Sequence, residues 1–168
     1  MMESEHQACL LLGSNIQPGK NLALGVDLLR QKVKVLQLSS VWESLSVGSG
    51  GPDFLNLAVL ITTPLEASEL KEKLLRPLEA QLGRVRSEDK NAPRTIDIDI
   101  IIFDGRLLDP TLFRYAYRAV PVAEILPDFR SDRGEFLREV AFKLVETSPI
   151  RLKPDILIGQ PMPQTEID

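Results

Sequence analysis

The sequence predicts an α+β fold, a ferredoxin-like split βαβ sandwich with a βαββαβ core and C-terminal helical additions. Short apolar runs and helical patterns alternate along the chain in the order strand, helix, strand, strand, helix, strand. The chain has 168 residues, of which 43% are hydrophobic, and this is enough to bury a single core. We therefore expect one antiparallel-rich sheet with helices packed against it.

The four core strands are predicted at residues 7–12, 35–46, 54–62 and 95–103, where apolar and β-branched side chains cluster. The first helix is indicated by apolar residues at helical spacing, namely Leu22, Val26, Leu29 and Val33. Residues 47–52 contain three glycines. They are expected to form either a plain hairpin loop or a loop that closes over a ligand.

The second helix is predicted from Thr63 and Glu66, which have the spacing of a capping box, and from the leucines that follow them. Pro77 is expected to kink this helix or to remove one hydrogen bond. Further helices are predicted at 121–126 and 135–146. We expect a disordered N-terminus at 1–6, one domain at 7–146 and an extended C-terminal tail at 147–168.

Composition excludes several classes of partner. A formal net charge of -4 argues against a surface devoted to nucleic acid or to anionic membrane. The single cysteine, Cys9, lies in an apolar run, so we expect a buried side chain and a reducing compartment. No segment has the pattern of a signal peptide or a membrane span. These observations predict a cytoplasmic protein. We also expect a monomer that acts on small molecules.

The residues with the clearest chemical potential are Asp97 and Asp99. Side chains alternate along a strand, so these two carboxylates share one face, opposite Ile96, Ile98, Ile100 and Ile102. A separation of about 7 Å at Cα lets both carboxylates reach shared cations such as a pair of Mg²⁺ ions. The alternative is an edge strand with a solvated acidic face, which blocks aggregation.

The loop before this strand is basic. Between Gly83 and the strand the chain carries four cations, Arg84, Arg86, Lys90 and Arg94. Guanidinium groups match phosphate oxygens, and Mg²⁺ neutralises charge on a transferring phosphoryl group. The arginines and paired aspartates together predict a Mg-nucleotide site. No P-loop or Rossmann motif is present in the sequence, so arginines and metal would hold the phosphates.

Four segments together resemble 6-hydroxymethyl-7,8-dihydropterin pyrophosphokinases: LLGSN at 11–15, PDFLNLAV at 52–59, LGRVR at 82–86 and PRTIDIDIIIFDG at 93–105. They occur in the order in which that family has them. The resemblance covers about residues 8–130 and implies the ferredoxin-like fold. It also implies transfer of a pyrophosphoryl group from ATP to the pterin alcohol in folate biosynthesis, with two Mg²⁺ and AMP as the other product.

The resemblance also implies roles for single residues. Asp97 and Asp99 would hold the metal, and Arg84, Arg86 and Arg94 would act with them in catalysis. The pterin would bind Ser44, Val47, Phe54, Asn56 and Tyr117, with the two aromatic rings stacking on it. The nucleotide would bind Glu79, Arg84, Arg94, Asp109 and Arg114. Closure of the basic loop would exclude water from the reaction.

The chain departs from the family pattern beside the expected phosphate site. Asp109 stands where a histidine is usual, Tyr115 stands where an arginine is usual, and Asn91 and Ala92 replace a tryptophan and a glycine. Arg114 and Arg118 are adjacent and offer replacement charges. An alternative to the enzyme is a non-catalytic or altered-specificity paralogue that binds pterin or nucleotide. A two-metal nuclease is disfavoured, because no basic stripe with interleaved aromatics is present.

Overall fold

A computed structural model of the chain describes residues 5–45, 53–84, 95–156 and 158. Its strands are β1 (His6–Ser14), β2 (Lys34–Leu38), β3 (Trp42–Ser44), β4 (Phe54–Thr63), β5 (Asp97–Phe103), β6 (Arg106–Leu107) and β7 (Ile150–Leu152). Its α-helices are α1 (Pro18–Lys32), α2 (Ala67–Glu69), α3 (Arg76–Gln81), α4 (Ala116–Ile125) and α5 (Leu137–Thr147). A π-helical segment, Leu70–Leu75, joins α2 to α3, and a 3₁₀ helix, Pro110–Phe113, precedes α4.

The strands form one antiparallel sheet that separates two layers of helices. Within the described residues its order is β6-β5-β1-β4-β3-β7, and β2 also pairs with β4. Leu22, Val26 and Leu29 of α1 pack on one face of the sheet. The second core lies on the opposite face, where α4 and α5 pack. The predicted α+β sandwich is confirmed, and the C-terminal helices cover the face that the split βαβ core leaves open.

One predicted strand is divided into two strands in the structure. The predicted strand at 35–46 is divided into β2 and β3, because the chain between Leu38 and Trp42 is one residue longer than the opposing part of β4. Ser39 bridges this break, since its hydroxyl accepts a hydrogen bond of 2.8 Å from the Ala58 N–H. An extra residue of this kind ends regular pairing and re-aims the chain.

The second helix begins later than the sequence predicted. Thr63 is the last residue of β4, and its hydroxyl accepts from the N–H of Leu65 at 3.1 Å, so the predicted capping box at Thr63 is wrong. The π-helical turn, in which Arg76 N–H donates to Lys71 O, places Pro77 in the first turn of α3. A proline is tolerated there because its missing N–H is not needed.

A β-bulge changes which side chains of β5 share a face. Asp97, Ile98, Asp99 and Ile100 alternate as predicted, but the register against β1 shifts between Leu10 and Cys9. Ile102 therefore lies in the core beneath α4, whereas Ile98 lies in the core beneath α1. The prediction that Ile102 shares the face of Ile98 is wrong, because one extra residue in a strand reverses the alternation beyond it.

The segment after α5 returns to the domain. Strand β7 pairs with β3, and Ile158 is buried in the core beneath α1. At the other end, β1 begins at His6, one residue before the predicted domain boundary. The division into a disordered N-terminus, a domain at 7–146 and a tail at 147–168 stays a prediction. Within the described ranges, no helix is long and apolar enough to cross a membrane.

A polar contact at the start of β1 joins three parts of the chain. His6 Nδ1 lies 2.6 Å from Asp104 Oδ2, and His6 Nε2 lies 3.2 Å from Glu66 Oε1. The backbone N–H of Gln7 donates to Asp104 Oδ1 at 2.8 Å. The hydrogen bond that the Asp104 carboxylate accepts from the His6 ring, together with the charge of Glu66, raises the pKa of His6 above its ordinary value of 6.5.

We expect this contact to make the free energy of unfolding depend on pH. Because the pKa of His6 is raised by folding, its contribution is fully present below pH 6.5 and is lost as the pH rises through the folded pKa. Asp104→Asn removes the charge and keeps a residue that tolerates the left-handed backbone (φ 49°) at this position. Urea unfolding of both forms from mildly acidic to alkaline pH measures the difference, and a difference that stays constant over that range would contradict the prediction.

Candidate active site

A row of paired residues across the middle of the sheet forms the floor of the candidate site. Trp42 pairs with Asn56, Asn56 with Gly13, and Gly13 with Asp97. Directly paired residues of antiparallel strands point to the same face, which here is the face covered by α4. The predicted pterin amide and the predicted metal carboxylate therefore lie on one surface, with a glycine between them.

Gly13 keeps this floor open. A Cβ atom at position 13 would lie 3.5 Å from Asn56 Oδ1 and 3.8 Å from Phe54 Cδ1. Any side chain would extend into the space between the amide and the carboxylates. The sequence analysis placed Gly13 in a motif without giving it a role. Its position directly after the apolar run of β1 was the available signal, because a glycine within a strand often marks a close approach.

The two aspartates project from β5 as predicted, and each contacts an arginine. Asp97 Oδ1 lies 2.6 Å from Arg84 Nη1, and Asp99 Oδ2 lies 3.4 Å from Arg118 Nη1. Burial and the neighbouring charge of Asp97 raise the pKa of Asp99, while Arg118 opposes the rise. Two carboxylates under mutual repulsion have an electrostatic reason to bind further cations.

Arg84 and Glu79 form a brace behind Asp97. Besides Asp97, Arg84 Nη1 contacts the carbonyl of Ile96 at 3.2 Å and Glu79 Oε2 at 3.5 Å. Glu79 is only 3% exposed, and its Oε2 accepts from the N–H of Ile98 at 3.1 Å. Glu79 and Arg84 together thus hold β5 on either side of Asp97. The predicted contact of Glu79 with nucleotide stays a prediction.

Arg118 contacts the carboxylates, whereas the resemblance assigned the nucleotide contact to Arg114. Its Nη1 lies 2.9 Å from Asp109 Oδ2 and 3.4 Å from Asp99 Oδ2. Arg118 is on α4, one residue after Tyr117, whereas Arg114 is exposed at the end of the 3₁₀ helix. The sequence offered both arginines as neighbours of Tyr115. Only packing of α4 on the sheet brings Arg118 to the carboxylates, and the contact of Arg114 with nucleotide stays a prediction.

Asp109 is anchored beside the carboxylate pair. Its Oδ1 accepts from the backbone N–H of Thr111 at 2.9 Å and from the Thr111 hydroxyl at 2.5 Å. This arrangement caps the 3₁₀ helix. Arg118 therefore neutralises the acidic residue that stands where the family pattern has a histidine, so its charge is compensated within the chain.

Three of the predicted pterin residues, Ser44, Phe54 and Asn56, lie together at one end of the floor. Asn56 is 3% exposed, and its Nδ2 donates to Ser44 Oγ at 2.9 Å and to the Trp42 carbonyl at 3.2 Å. Phe54 is half-buried and pairs with Ser44 across β3 and β4. These two acceptors hold the Asn56 amide beside the open space over Gly13.

Tyr117 lies on α4, above the sheet, and is half-buried. Its ring stacks on that of Tyr115 with centroids 5.5 Å apart, and the Arg118 guanidinium carbon is 5.3 Å from the Tyr117 ring centroid. Tyr117 is therefore only partly buried and is not a core residue. A partly exposed ring that already stacks suits a flat ligand.

A cavity of about 410 Å³ lies at the open edge of β5 beside Asp99. Its polar lining comes from several elements and consists of Ser68, Lys71, Asp99, Asp109 and Arg118. β6 pairs only with Ile102 and Phe103, so the earlier part of β5 has no strand on that side among the described residues. The cavity thus has cationic groups, carboxylates and a free strand edge within one space.

Three predicted site residues, Val47, Arg86 and Arg94, lie outside the described residues. No group of three or more His, Cys, Asp or Glu side chains that could hold a metal ion is present among the residues that are described. A divalent cation at Asp97 and Asp99 would need further oxygen ligands, and phosphate oxygens are the ligands that Mg²⁺ commonly takes from a nucleotide. The donor set of this site fits such a shared shell.

The chain is similar in sequence to one family of known proteins. The profile of 7,8-dihydro-6-hydroxymethylpterin-pyrophosphokinase (HPPK) matches residues 9–127. The 2-amino-4-hydroxy-6-hydroxymethyldihydropteridine pyrophosphokinase of Methylorubrum extorquens is 39% identical over 150 residues, which cover 82% of this chain and 93% of that relative. The protein of the same name from Synechocystis is 34% identical over 140 residues, covering 77% and 71%.

The fold is also similar to solved structures. Plasmodium falciparum HPPK-DHPS wild type with pteroate gives a TM-score of 0.70 at 10% identity over 87% of this chain. The chain spans about 45% of the length of that solved chain, so the likeness concerns part of a larger protein. The match to the family profile, which covers most of the chain and contains both aspartates and the floor of the site, confirms the resemblance found in the sequence, and the chain belongs to the 7,8-dihydro-6-hydroxymethylpterin-pyrophosphokinase family.

Proposed function

We propose that this chain transfers the pyrophosphoryl group of ATP to 6-hydroxymethyl-7,8-dihydropterin, with Mg²⁺ held by Asp97 and Asp99. Enzymes of this family use ATP as co-substrate and a hydroxymethyl pterin as acceptor. The observation that supports the proposal most is the single row in which Asp97 is joined to Asn56 through Gly13. It brings a cation site within reach of a pterin site.

The reaction needs three components held close together. The pterin hydroxymethyl oxygen attacks the β-phosphorus of ATP, a new P–O bond forms, and the bond from that phosphorus to the oxygen bridging it to the α-phosphate breaks, so AMP leaves. Bound Mg²⁺ would supply Lewis-acid stabilisation of the charge on the phosphate oxygens. The chain's own residues position the reactants, which is the main demand of phosphoryl-type transfer.

The pterin would be held by its flat faces and by its polar edge. Asn56 presents an amide whose Nδ2 is already bound to Ser44 and Trp42, so its orientation is fixed before the ligand arrives. Phe54 comes from the sheet and Tyr117 from α4. Aromatic rings supplied from two elements suit a planar heterocycle, and fixed polar groups reduce the entropy lost on binding.

The nucleotide would occupy the cavity at the edge of β5. The N–H of Ile98 points away from β1, because it donates to Glu79. Alternate residues of a strand point their N–H groups the same way, so Ile100 presents its backbone to the cavity that it lines. The adenine base can form hydrogen bonds with the backbone groups of this strand edge, while the phosphates extend toward Asp99, Arg118 and Arg84.

Several features of the proposal rest on sequence alone. The roles of Arg86, Arg94 and Val47, the closure of a loop over the substrates, the monomeric state and the cytoplasmic location stay predictions. The second candidate function, a paralogue that binds pterin or nucleotide without catalysis, is favoured by Asp109, an acid beside the expected phosphate path. The two candidates differ in a single measurable outcome, the release of AMP.

We expect the chain to release AMP from ATP only when the pterin and Mg²⁺ are both present. Asp97→Asn and Asp99→Asn should each reduce this release at least about a hundredfold, because a site that lacks one carboxylate holds Mg²⁺ more weakly and the charge on the phosphates is then uncompensated. Asp132→Asn, a change at an exposed turn, is the matched control. Pterin binding without any AMP release would support the non-catalytic paralogue. Unchanged AMP release in both Asp97→Asn and Asp99→Asn would refute the metal site.

The stacking role has a separate test by calorimetry. Phe54→Ala and Tyr117→Ala should each weaken pterin binding by about 1 to 3 kcal/mol, since each removes one face of the ring contact. Phe142→Ala changes a phenylalanine that is 73% exposed on α5 and should leave the affinity unchanged. If Phe54→Ala or Tyr117→Ala binds the pterin with unchanged affinity, the ring of that residue does not contact the pterin.

Glu124 is expected to position the pterin amide indirectly. Its two oxygens accept from Trp42 Nε1 at 2.5 Å and from the backbone and hydroxyl of Ser40 at 3.0 Å, and the Trp42 carbonyl in turn accepts from Asn56. Glu124→Gln should raise the KM for pterin about threefold with little change in kcat, because a neutral amide cannot satisfy all of these donors.

Trp42 is the only tryptophan of the chain, so its fluorescence reports directly on this contact. Glu124→Gln should shift its emission, whereas Glu146→Gln on the exposed face of α5 should not. An emission shift with an unchanged KM would mean that Glu124 supports the fold of β3 without orienting the substrate.

A further inference from the structure

Arg118 lies between two carboxylates that belong to different parts of the chain. Its Nη1 is 2.9 Å from Asp109 Oδ2 and 3.4 Å from Asp99 Oδ2. The Arg118 side chain is 17% exposed, so these charges are only partly screened by water. One guanidinium nitrogen thus serves an anchored acid and a metal-ligand candidate at the same time.

The two contacts of Arg118 are unequal. The contact with Asp109 has the length of a charge-assisted hydrogen bond, whereas the contact with Asp99 is near the outer limit of one. Asp109 is also fixed by two hydrogen bonds from Thr111. Asp99, by contrast, is 40% exposed and has room to accept other partners. If one of the two contacts is given up, it is the one with Asp99.

Arg118 also retains hydrogen-bonding capacity at the site. Its Nε atom is buried and has no hydrogen-bond partner among the residues that the structure describes. A buried N–H without an acceptor costs free energy, so an arriving anion gains by accepting from it. The cavity lined by Arg118, Asp99 and Lys71 is the space from which such an anion would approach.

We propose that Arg118 is an exchangeable counter-ion of the metal site, which neutralises Asp99 while no cation is bound and which Asp109 retains when a cation takes Asp99. The released guanidinium then contacts the phosphates of the nucleotide. Asp109 acts through Arg118 and is a positioning residue. This inference rests on the proposed Mg-nucleotide site.

The proposal makes opposite predictions for metal and for nucleotide. A guanidinium on Asp99 competes with a cation for that carboxylate, so its removal strengthens binding of a cation in the absence of nucleotide. The same guanidinium attracts phosphate, so its removal weakens binding of the nucleotide. A salt bridge that only stabilises the fold would produce neither effect in a folded variant.

The experiment is a titration with Mn²⁺, read by the paramagnetic signal of the free ion, without nucleotide and at mildly alkaline pH. Arg118→Gln should bind Mn²⁺ about three- to tenfold more tightly than the unmodified chain, which is the size expected for one partly exposed charge pair. The same variant should bind a non-hydrolysable ATP analogue with Mg²⁺ about tenfold or more weakly. Arg133→Gln, an exposed arginine in a turn, controls for the change in net charge.

Asp109→Asn tests the positioning role. It should weaken Mn²⁺ binding, because Arg118 then pairs with Asp99 alone, and this loss should shrink in the Arg118→Gln background. Arg118→Lys keeps the positive charge but lacks the paired N–H donors of a guanidinium. It should still compete with a cation for Asp99, and it should lose part of the nucleotide affinity. Circular dichroism and thermal unfolding of each variant establish that it is folded.

The proposal is overturned if folded Arg118→Gln binds Mn²⁺ with unchanged or lower affinity, or if Asp109→Asn has the same effect with and without Arg118. The Mn²⁺ titration does not require turnover, so it separates the two proposals. Tighter Mn²⁺ binding in a chain that releases no AMP would support the counter-ion and refute the enzyme. AMP release by the unmodified chain, with no change in Mn²⁺ affinity in Arg118→Gln, would support the enzyme and refute the counter-ion.

Discussion

The site depends on the antiparallel pairing of β5 with β1. Gly13 opposes Asp97 and Leu11 opposes Asp99, so this register sets which face the two carboxylates occupy. Since a strand alternates its side chains, a shift by one residue would bury both acids under α1 and expose Ile98. The same β1 residue, Gly13, opposes Asn56 on its other side. One strand therefore fixes the distance between Asp97 and Asn56.

Charge compensation explains why the acidic surface is tolerable before any ligand binds. Burial and the neighbouring charge of Asp97 raise the pKa of Asp99. Arg84 and Arg118 contact one carboxylate each, from opposite ends of the site. Arg84 is fixed by Glu79, and Arg118 is fixed by Asp109. In the proposed function, a cation and a nucleotide would enter a site whose carboxylates are already paired with arginines, and their binding would be an exchange of partners.

Local sequence patterns predicted the repeating elements well, because each pattern reflects contacts within a few residues. Alternation placed Asp97 and Asp99 on one face of β5, and helical spacing placed Leu22, Val26 and Leu29 in the core. Predictions were wrong where longer-range contacts decide the geometry. The bulge after Ile100 depends on the register against β1, and the late start of α2 depends on how β4 ends.

The sequence by itself determined the fold class, the family and the identity of the paired aspartates, since these follow from the order of elements and from continuous motifs. Only the tertiary structure decided which basic residues reach those aspartates. Arg114 and Arg118 are equivalent in the sequence beside Tyr115, yet only Arg118 contacts Asp99 and Asp109 in the part of the chain that is described. The physical reason is the packing of α4 on the sheet, which turns one arginine toward β5 and leaves the other exposed, and no pattern within α4 encodes the position of β5.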